Sequence, residues 1–376
     1  MDRSGLRFPA ERLVERSLEV ILENQAPSGA FIASPNFPSY AFCWFRDGAY
    51  TAYALDLYGE HESARRFHAW AADVINRQSA GVQRALQKTA AGHPLGNDDI
   101  LHTRYTLAGE PDSKGDWPNF QLDGLGAWLW ALSAHQRLAG GALPGDWSCA
   151  ANLAARYLAG LWQLPCYDCW EEFPRQVHPH TLAAIYGGLC AFSDLMSAKS
   201  VGTSEKSTVT DIADTSKYIR SFLLENALAN GCWQKYLGNP QVDASLLGLS
   251  TPYRVVEPND PRMRRTVEKI EADLLRGGVF RYASDTYFGG GQWLLLAAWL
   301  GWYWCEAGQP DKAQALCVWI EAQADERGWL PEQVSNLLID PSFYAPWLQR
   351  WGPVANPLLW SHANYLILCN QMNNSH

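Results

Sequence analysis

Apolar residues recur at i, i+3, i+4 and i+7 along most of the chain, while alternating strand-like runs are short and few. That spacing predicts helices over 9–25, 47–58, 60–79, 121–139, 147–163, 179–197, 207–229, 243–249, 260–275, 291–307, 310–326 and 358–371, twelve in all. Several ends carry local support: Pro9 opens the first helix, Gly59 closes the second, Pro144 and Gly145 precede the fifth, and Gly308 and Pro310 separate the tenth from the eleventh. The links alternate in length. After the odd helices they run to roughly 15 to 40 residues, and after the even ones mostly from a few to about ten. Six helical hairpins closed in this way form an all-α toroid with its long loops gathered over one face of a rigid scaffold. The even helices then make the inner ring. Segments 121–139 and 291–307 are apolar on most sides and suit it, whereas 60–79 and 260–275 carry a wide charged face and belong outside. No composition shift or Pro/Gly/Ser-rich linker divides the chain, so 1–376 is read as a single domain, with 198–208 as a flexible link at the end opposite the long loops.

Composition narrows the partners. With 47% hydrophobic and 18% charged residues, the 376-residue chain can bury a large core without metals or disulfides. A net charge of -9 and no basic run argue against nucleic acid or an anionic membrane as partner. No apolar stretch is long enough to span a bilayer, and the N-terminus lacks a signal-peptide core, so a cytoplasmic location is expected. Nine cysteines scattered through apolar segments suit free thiols, and the lone CxxC of Cys166 and Cys169 has no second pair at zinc spacing. Eighteen tryptophans and sixteen tyrosines are the outlier. Their rings offer a flat apolar face with a polar handle, which suits a ligand of alternating C–H patches and hydroxyls such as a sugar, although many must also pack the core.

The long loops carry the candidate chemistry. In PCYDCWEEF, from Pro165 to Phe173, Asp168, Glu171 and Glu172 crowd around Trp170 in a segment that reads as a loop. Crowded like charges raise the pKa of one member, and a carboxyl kept protonated near neutral pH serves as a general acid. The residues alone do not choose between Glu171 and Glu172. The first loop holds Tyr40, Trp44 and the adjacent Arg46 and Asp47, a pair suited to hydroxyl groups or to a helix cap. The second contributes Asp116, Trp117, Gln121 and Asp123. Between helices nine and ten, FRYASDTYFGGGQW carries Arg281, Asp285 and a glycine run that permits close approach to a ligand; without a preceding strand or a following Lys-Ser/Thr it is not a nucleotide loop. The last loop places Glu332 after Pro331, ahead of Trp360. Two carboxylates facing each other across a funnel are the equipment of glycoside hydrolysis.

Taken in order, WFRDGAY, NFQLDG, DCWEEF, FRYASDTYFGGGQW, LPEQ and PLLWSHA make the chain resemble the catalytic domain of glycoside hydrolase family 15, the glucoamylases and their bacterial relatives, over about residues 30–365. The resemblance implies an (α/α)6 barrel and an inverting, exo-acting hydrolase that releases β-D-glucose from the non-reducing end of an α-glucoside. It implies Glu171 as general acid and Glu332 as general base. The expected substrate-binding set is Tyr40, Trp44, Arg46, Asp47, Trp117, Asp168, Trp170, Glu172, Arg281, Asp285 and Trp360, with Glu172 also raising the pKa of the acid. No metal or cofactor is implied, because two carboxylates and a water suffice. The partner is a small oligosaccharide.

The chain begins at the first barrel helix, with neither the β-sandwich of bacterial members nor a starch-binding module, and this inclines the expectation toward short malto- or isomalto-oligosaccharides. Three other activities fit the same toroid: a trehalase-type hydrolase, an inverting disaccharide phosphorylase, and a non-catalytic sugar-binding or regulatory domain. A plausible base at Glu332 counts against the phosphorylase, and the presence of both glutamates counts against the non-catalytic relative.

Overall fold

The computed structural model describes residues 8–112, 117–197 and 203–374, so Asp116 and the first part of the 198–208 link lie outside the described residues. Thirteen α-helices occur among these residues: α1 (Leu13–Glu23), α2 (Phe45–Leu57), α3 (His61–Arg77), α4 (Ser79–Ala90), α5 (Asp123–Ala139), α6 (Gly145–Leu161), α7 (Pro179–Ser197), α8 (Thr203–Asn226), α9 (Pro261–Leu274), α10 (Leu294–Glu306), α11 (Pro310–Glu321), α12 (Tyr344–Trp351) and α13 (Leu359–Asn374). A short 3₁₀ helix, Ala244–Leu249, stands where the eighth helix was expected. Asp243 accepts from Ser245 N at its start, and all six of its residues are buried.

The inner ring closes on itself. α2 packs on α5, α5 on α7, α7 on the 3₁₀ helix, that helix on α10, α10 on α13, and α13 back on α2. Around it α1 packs on α13, α3 on α2, α6 on α3 and α7, α8 on α7, α9 on the 3₁₀ helix and α11 on α10. This is the (α/α)6 barrel. The inner positions follow from composition: every residue of α10 from Leu294 to Cys305 is buried, which a helix apolar all round requires. By contrast α9 buries only Met263, Thr266, Val267, Ile270 and Leu274, one stripe of an otherwise charged helix. Close crossing of α5 and α7 depends on glycine, since a Cβ on Gly126 would lie 2.3 Å from Ala184 O. One contiguous apolar core reaches from Leu13 to Leu368.

Two helices were not anticipated. α4 falls inside what reads as the second long loop, and α12 inside the last one. In α12 Pro346 sits in the first turn, where its missing N–H costs nothing. No helix is long and apolar enough to cross a membrane among the described residues. The nine cysteines form no disulfide there.

Candidate active site

The segments 24–44, 91–112, 117–122, 162–178, 275–293 and 322–358 converge with the first turns of α2 and α13 on a cavity of about 550 Å³. That is within the range of small-molecule sites, about 300–1,000 Å³. Two-residue strands tie the loops to one another. Cys43–Trp44 pairs antiparallel with Arg104–Tyr105, and Gln292–Trp293 pairs with Gln333–Val334 so that Trp293 faces Gln333. Glu332 is held by its backbone, with its N–H donating to Ala355 O at 2.9 Å and its carbonyl accepting from Leu294 N at 3.4 Å.

Eleven of the thirteen expected site residues line this cavity: Tyr40, Trp44, Arg46, Asp47, Trp117, Trp170, Glu171, Glu172, Arg281, Glu332 and Trp360. Glu171 has φ 68°, in the left-handed region that costs a non-glycine residue about 1 kcal/mol or more. The turn is imposed from below. Asp168 accepts from the N–H groups of Trp170 at 3.0 Å and Glu172 at 2.8 Å, and the Trp170 indole donates to Asp243 at 3.1 Å. The segment is a loop, as the sequence reads.

The neighbouring glutamates face different partners. Glu171 Oε1 accepts from Trp44 Nε1 at 2.7 Å. Burial raises its pKa, while the Arg46 charge and the Trp44 hydrogen bond draw it back. Glu172 instead accepts from the Tyr282 hydroxyl at 2.5 Å and from Arg281 Nη2 at 3.4 Å. The rise at Glu171 therefore has burial as its first cause, where the sequence pointed to crowding with Glu172. Crowding does act on Asp168, pushed up to about 7 by burial and, after the opposing pull of Lys235, by the Glu172 and Asp243 charges.

Glu332 is almost fully buried, 2% exposed. Its Oε1 accepts from the Tyr40 hydroxyl at 2.9 Å, and that hydroxyl lies 2.9 Å from the Tyr287 hydroxyl. Glu332 Oε2 has no hydrogen-bond partner within the protein. Burial pushes the carboxyl up to about 7, against the Tyr40 hydrogen bond and the Arg281 charge. Tyr40 also packs edge-on against Trp44, ring centroids 5.6 Å apart, so the supports of the two glutamates are in contact.

Arg46 donates to Gln121 Oε1 at 2.9 Å and to Asp123 Oδ2 at 3.3 Å, lies 3.5 Å from Asp47 Oδ2 and stands over the Trp360 ring at 5.1 Å. Asp47 is pushed up to about 6, by burial against the pull of Arg46. Both side chains of the pair line the cavity, and α2 has no side-chain cap.

Two expected contact residues do not line it. Asp168 sits beneath the acidic loop as its backbone acceptor, and Asp285, 0% exposed, pairs with Arg281 Nε at 2.7 Å and Nη2 at 2.5 Å while accepting from Tyr287 N at 2.9 Å. Both carboxylates position the side chains that reach the cavity. The glycine run differs too. A Cβ on Gly290 would lie 2.4 Å from Asp285 O, and one on Gly291 2.4 Å from Gln333 Oε1, so these residues admit protein and not ligand.

Sequence reasoning missed Arg104, Tyr287, Trp293, Trp347 and Arg350 in the lining. Tyr287 and Trp293 lie inside a motif already singled out. Trp347 comes from α12 and packs on Tyr287 with ring centroids 4.9 Å apart. The spacing of Tyr344, Trp347 and Trp351 was a signal for that helix.

Comparison with known proteins agrees with the geometry. The glycosyl hydrolases family 15 profile matches residues 10–338. An isomaltose glucohydrolase from Kribbella flavida is 39% identical over 362 residues, covering 96% of this chain and 92% of that protein. A solved wild-type glycosidase superposes with TM-score 0.91 at 38% identity over 97% of both chains. A bacterial glucoamylase complexed with acarbose shares the fold, with TM-score 0.74 at 20% identity over 96% of this chain and 55% of that one.

Proposed function

The chain belongs to glycosyl hydrolase family 15 and is a glycoside hydrolase, and from that premise we propose that it releases β-D-glucose from the non-reducing end of short α-glucosides by inversion, isomalto-oligosaccharides before malto-oligosaccharides. The observation that carries this reading is the pair of glutamates, half-buried Glu171 and buried Glu332, lining one cavity with both carboxyls held above the ordinary range. The order of linkages rests on the relative named an isomaltose glucohydrolase, at 39% identity over nearly the whole chain.

Glu171 acts as general acid. Its proton passes to the glycosidic oxygen as the bond to the anomeric carbon breaks, and Trp44, donating to Oε1, fixes which oxygen is left to carry that proton. Glu332 acts as general base. Tyr40 occupies Oε1, which leaves the unpartnered Oε2 to take a proton from water as it attacks the opposite face of the sugar. Arg46, Asp47 and Trp360 hold the glucose being released, and Glu172 with Arg281 meets hydroxyls toward the leaving group. Oxocarbenium character in the transition state is favoured by the ionised carboxylate and by the aromatic walls.

Initial rates on isomaltose, maltose and trehalose, measured without phosphate, test the proposal. Fastest cleavage of isomaltose supports it. Cleavage of trehalose alone, or turnover that requires phosphate, contradicts it.

A further inference from the structure

A second cluster of titratable side chains lies at the other end of the barrel. Asp56 follows Arg46 by ten residues on α2, about 15 Å along the axis, and His135 follows Asp123 by twelve on α5, about 18 Å. With His68 of α3 they offer one carboxylate oxygen and two ring nitrogens, all within 4.8 Å of one another. All three residues are buried, and none lines the active-site cavity.

His135 Nδ1 lies 2.9 and 3.0 Å from the two oxygens of Asp56, and His61 Nδ1 approaches Oδ1 at 2.8 Å from the solvent side. His68 has no such partner. It is 0% exposed, and neither of its ring nitrogens has a hydrogen-bond partner. Its surroundings are rings: Phe67 at 5.5 Å, His135 at 5.0 Å and Trp147 at 5.9 Å between centroids. A neutral imidazole always carries one N–H donor and one lone pair, so either tautomer leaves both unsatisfied. Buried polar atoms are rarely left so.

We propose that Asp56, His68 and His135 bind a divalent transition-metal ion of the zinc class. Two imidazole nitrogens and one carboxylate oxygen suit zinc, whereas magnesium and calcium take oxygen donors. In a tetrahedral site with bonds of about 2.0–2.1 Å the ligand atoms stand roughly 3.3 Å apart. The edge from His135 to Asp56 is already close to that, and side-chain rotation brings His68 in. The ion replaces the hydrogen now joining His135 Nδ1 to Asp56. His61 does not ligate; its hydrogen bond to Oδ1 orients the carboxylate from outside. Because its ligands come from α2, α3 and α5, the ion fastens two inner helices and one outer helix at the end remote from catalysis. The site is structural and independent of the activity proposed above.

The test is titration of the chelator-treated protein with Zn²⁺ by calorimetry and with Co²⁺ by visible absorption, together with thermal unfolding in each state. The expected result is one ion per chain, ligand-field bands of a four-coordinate site in which a water completes the two nitrogens and one oxygen from the protein, and a higher Tm with metal. His68→Ala and His135→Ala lose affinity by more than about 100-fold, and His61→Ala by about 10–100-fold. Absence of saturable binding to the wild-type chain overturns the proposal, as does binding undiminished in His68→Ala. If a ligand variant fails to fold, the wild-type titration and its Tm decide the matter alone.

Discussion

The Tyr40 hydroxyl donates a 2.9 Å hydrogen bond to Glu332 Oε1, while Oε2 of the same carboxyl has no hydrogen-bond partner within the protein. A phenol in this position favours the ionised carboxylate while burial disfavours it, and burial is the larger effect. The pH dependence of catalysis follows from this balance. As the proposed base, Glu332 must be ionised to accept a proton, so kcat/KM is expected to fall as pH drops through about 7. Tyr40→Phe removes a donor to the charged form, which raises the pKa further and moves the acid limb to higher pH. A pH–rate profile of both proteins checks the direction, and an acid limb displaced downward in the variant contradicts it.

Glu171→Gln and Glu332→Gln each remove one of the proposed proton-transfer groups at constant shape. Loss of about 100- to 10,000-fold in kcat is expected for each, with little change in Tm. Glu172→Gln behaves differently, because that side chain is engaged with Tyr282 and Arg281. Its effect falls chiefly on KM. Steady-state kinetics on isomaltose with all three variants separates the roles.

Asp285→Ala leaves the Arg281 guanidinium without its bidentate partner in a site where the arginine is 3% exposed. Removing one partner of a buried pair costs about 3–5 kcal/mol. A lowered midpoint in urea and a raised KM are expected together, and an unchanged KM contradicts the positioning role.

Much of the barrel was legible because its inner helices are apolar on nearly every side and its outer ones on a single stripe. α10 and α9 are the two extremes, and neither needed tertiary information. α12 went unread although Tyr344, Trp347 and Trp351 keep a helical spacing, because it is only eight residues long and none of them is buried, so no core-facing stripe marks it. The site was legible in part. Loop order brought Glu171 and Glu332 to one face, but sequence carries no depth, so Asp168 and Asp285 looked like the residues that reach the cavity although each lies behind its wall. Nor could periodicity show which way two adjacent glutamates turn. Trp44 on one side and Arg281 with Tyr282 on the other separate Glu171 from Glu172, and those partners come from distant loops.

Gly126 tests the packing that holds α5 on α7. Gly126→Ala forces a methyl against the Ala184 carbonyl, and overpacking of this kind costs about 1–3 kcal/mol. A fall in Tm with kcat retained at low temperature is expected. Undiminished stability contradicts the close approach.

The most direct test of the two-carboxylate mechanism is proton NMR of isomaltose hydrolysis in its first minutes, before mutarotation, which reads the anomeric form of the glucose released. One glucose of each pair is the former reducing end and is already an anomeric mixture, so an excess of β-glucose over the equilibrium ratio, and its loss in Glu171→Gln and Glu332→Gln, is the result predicted. α-Glucose in excess of the equilibrium mixture would mean retention, and Glu332 would then not be the base that activates water.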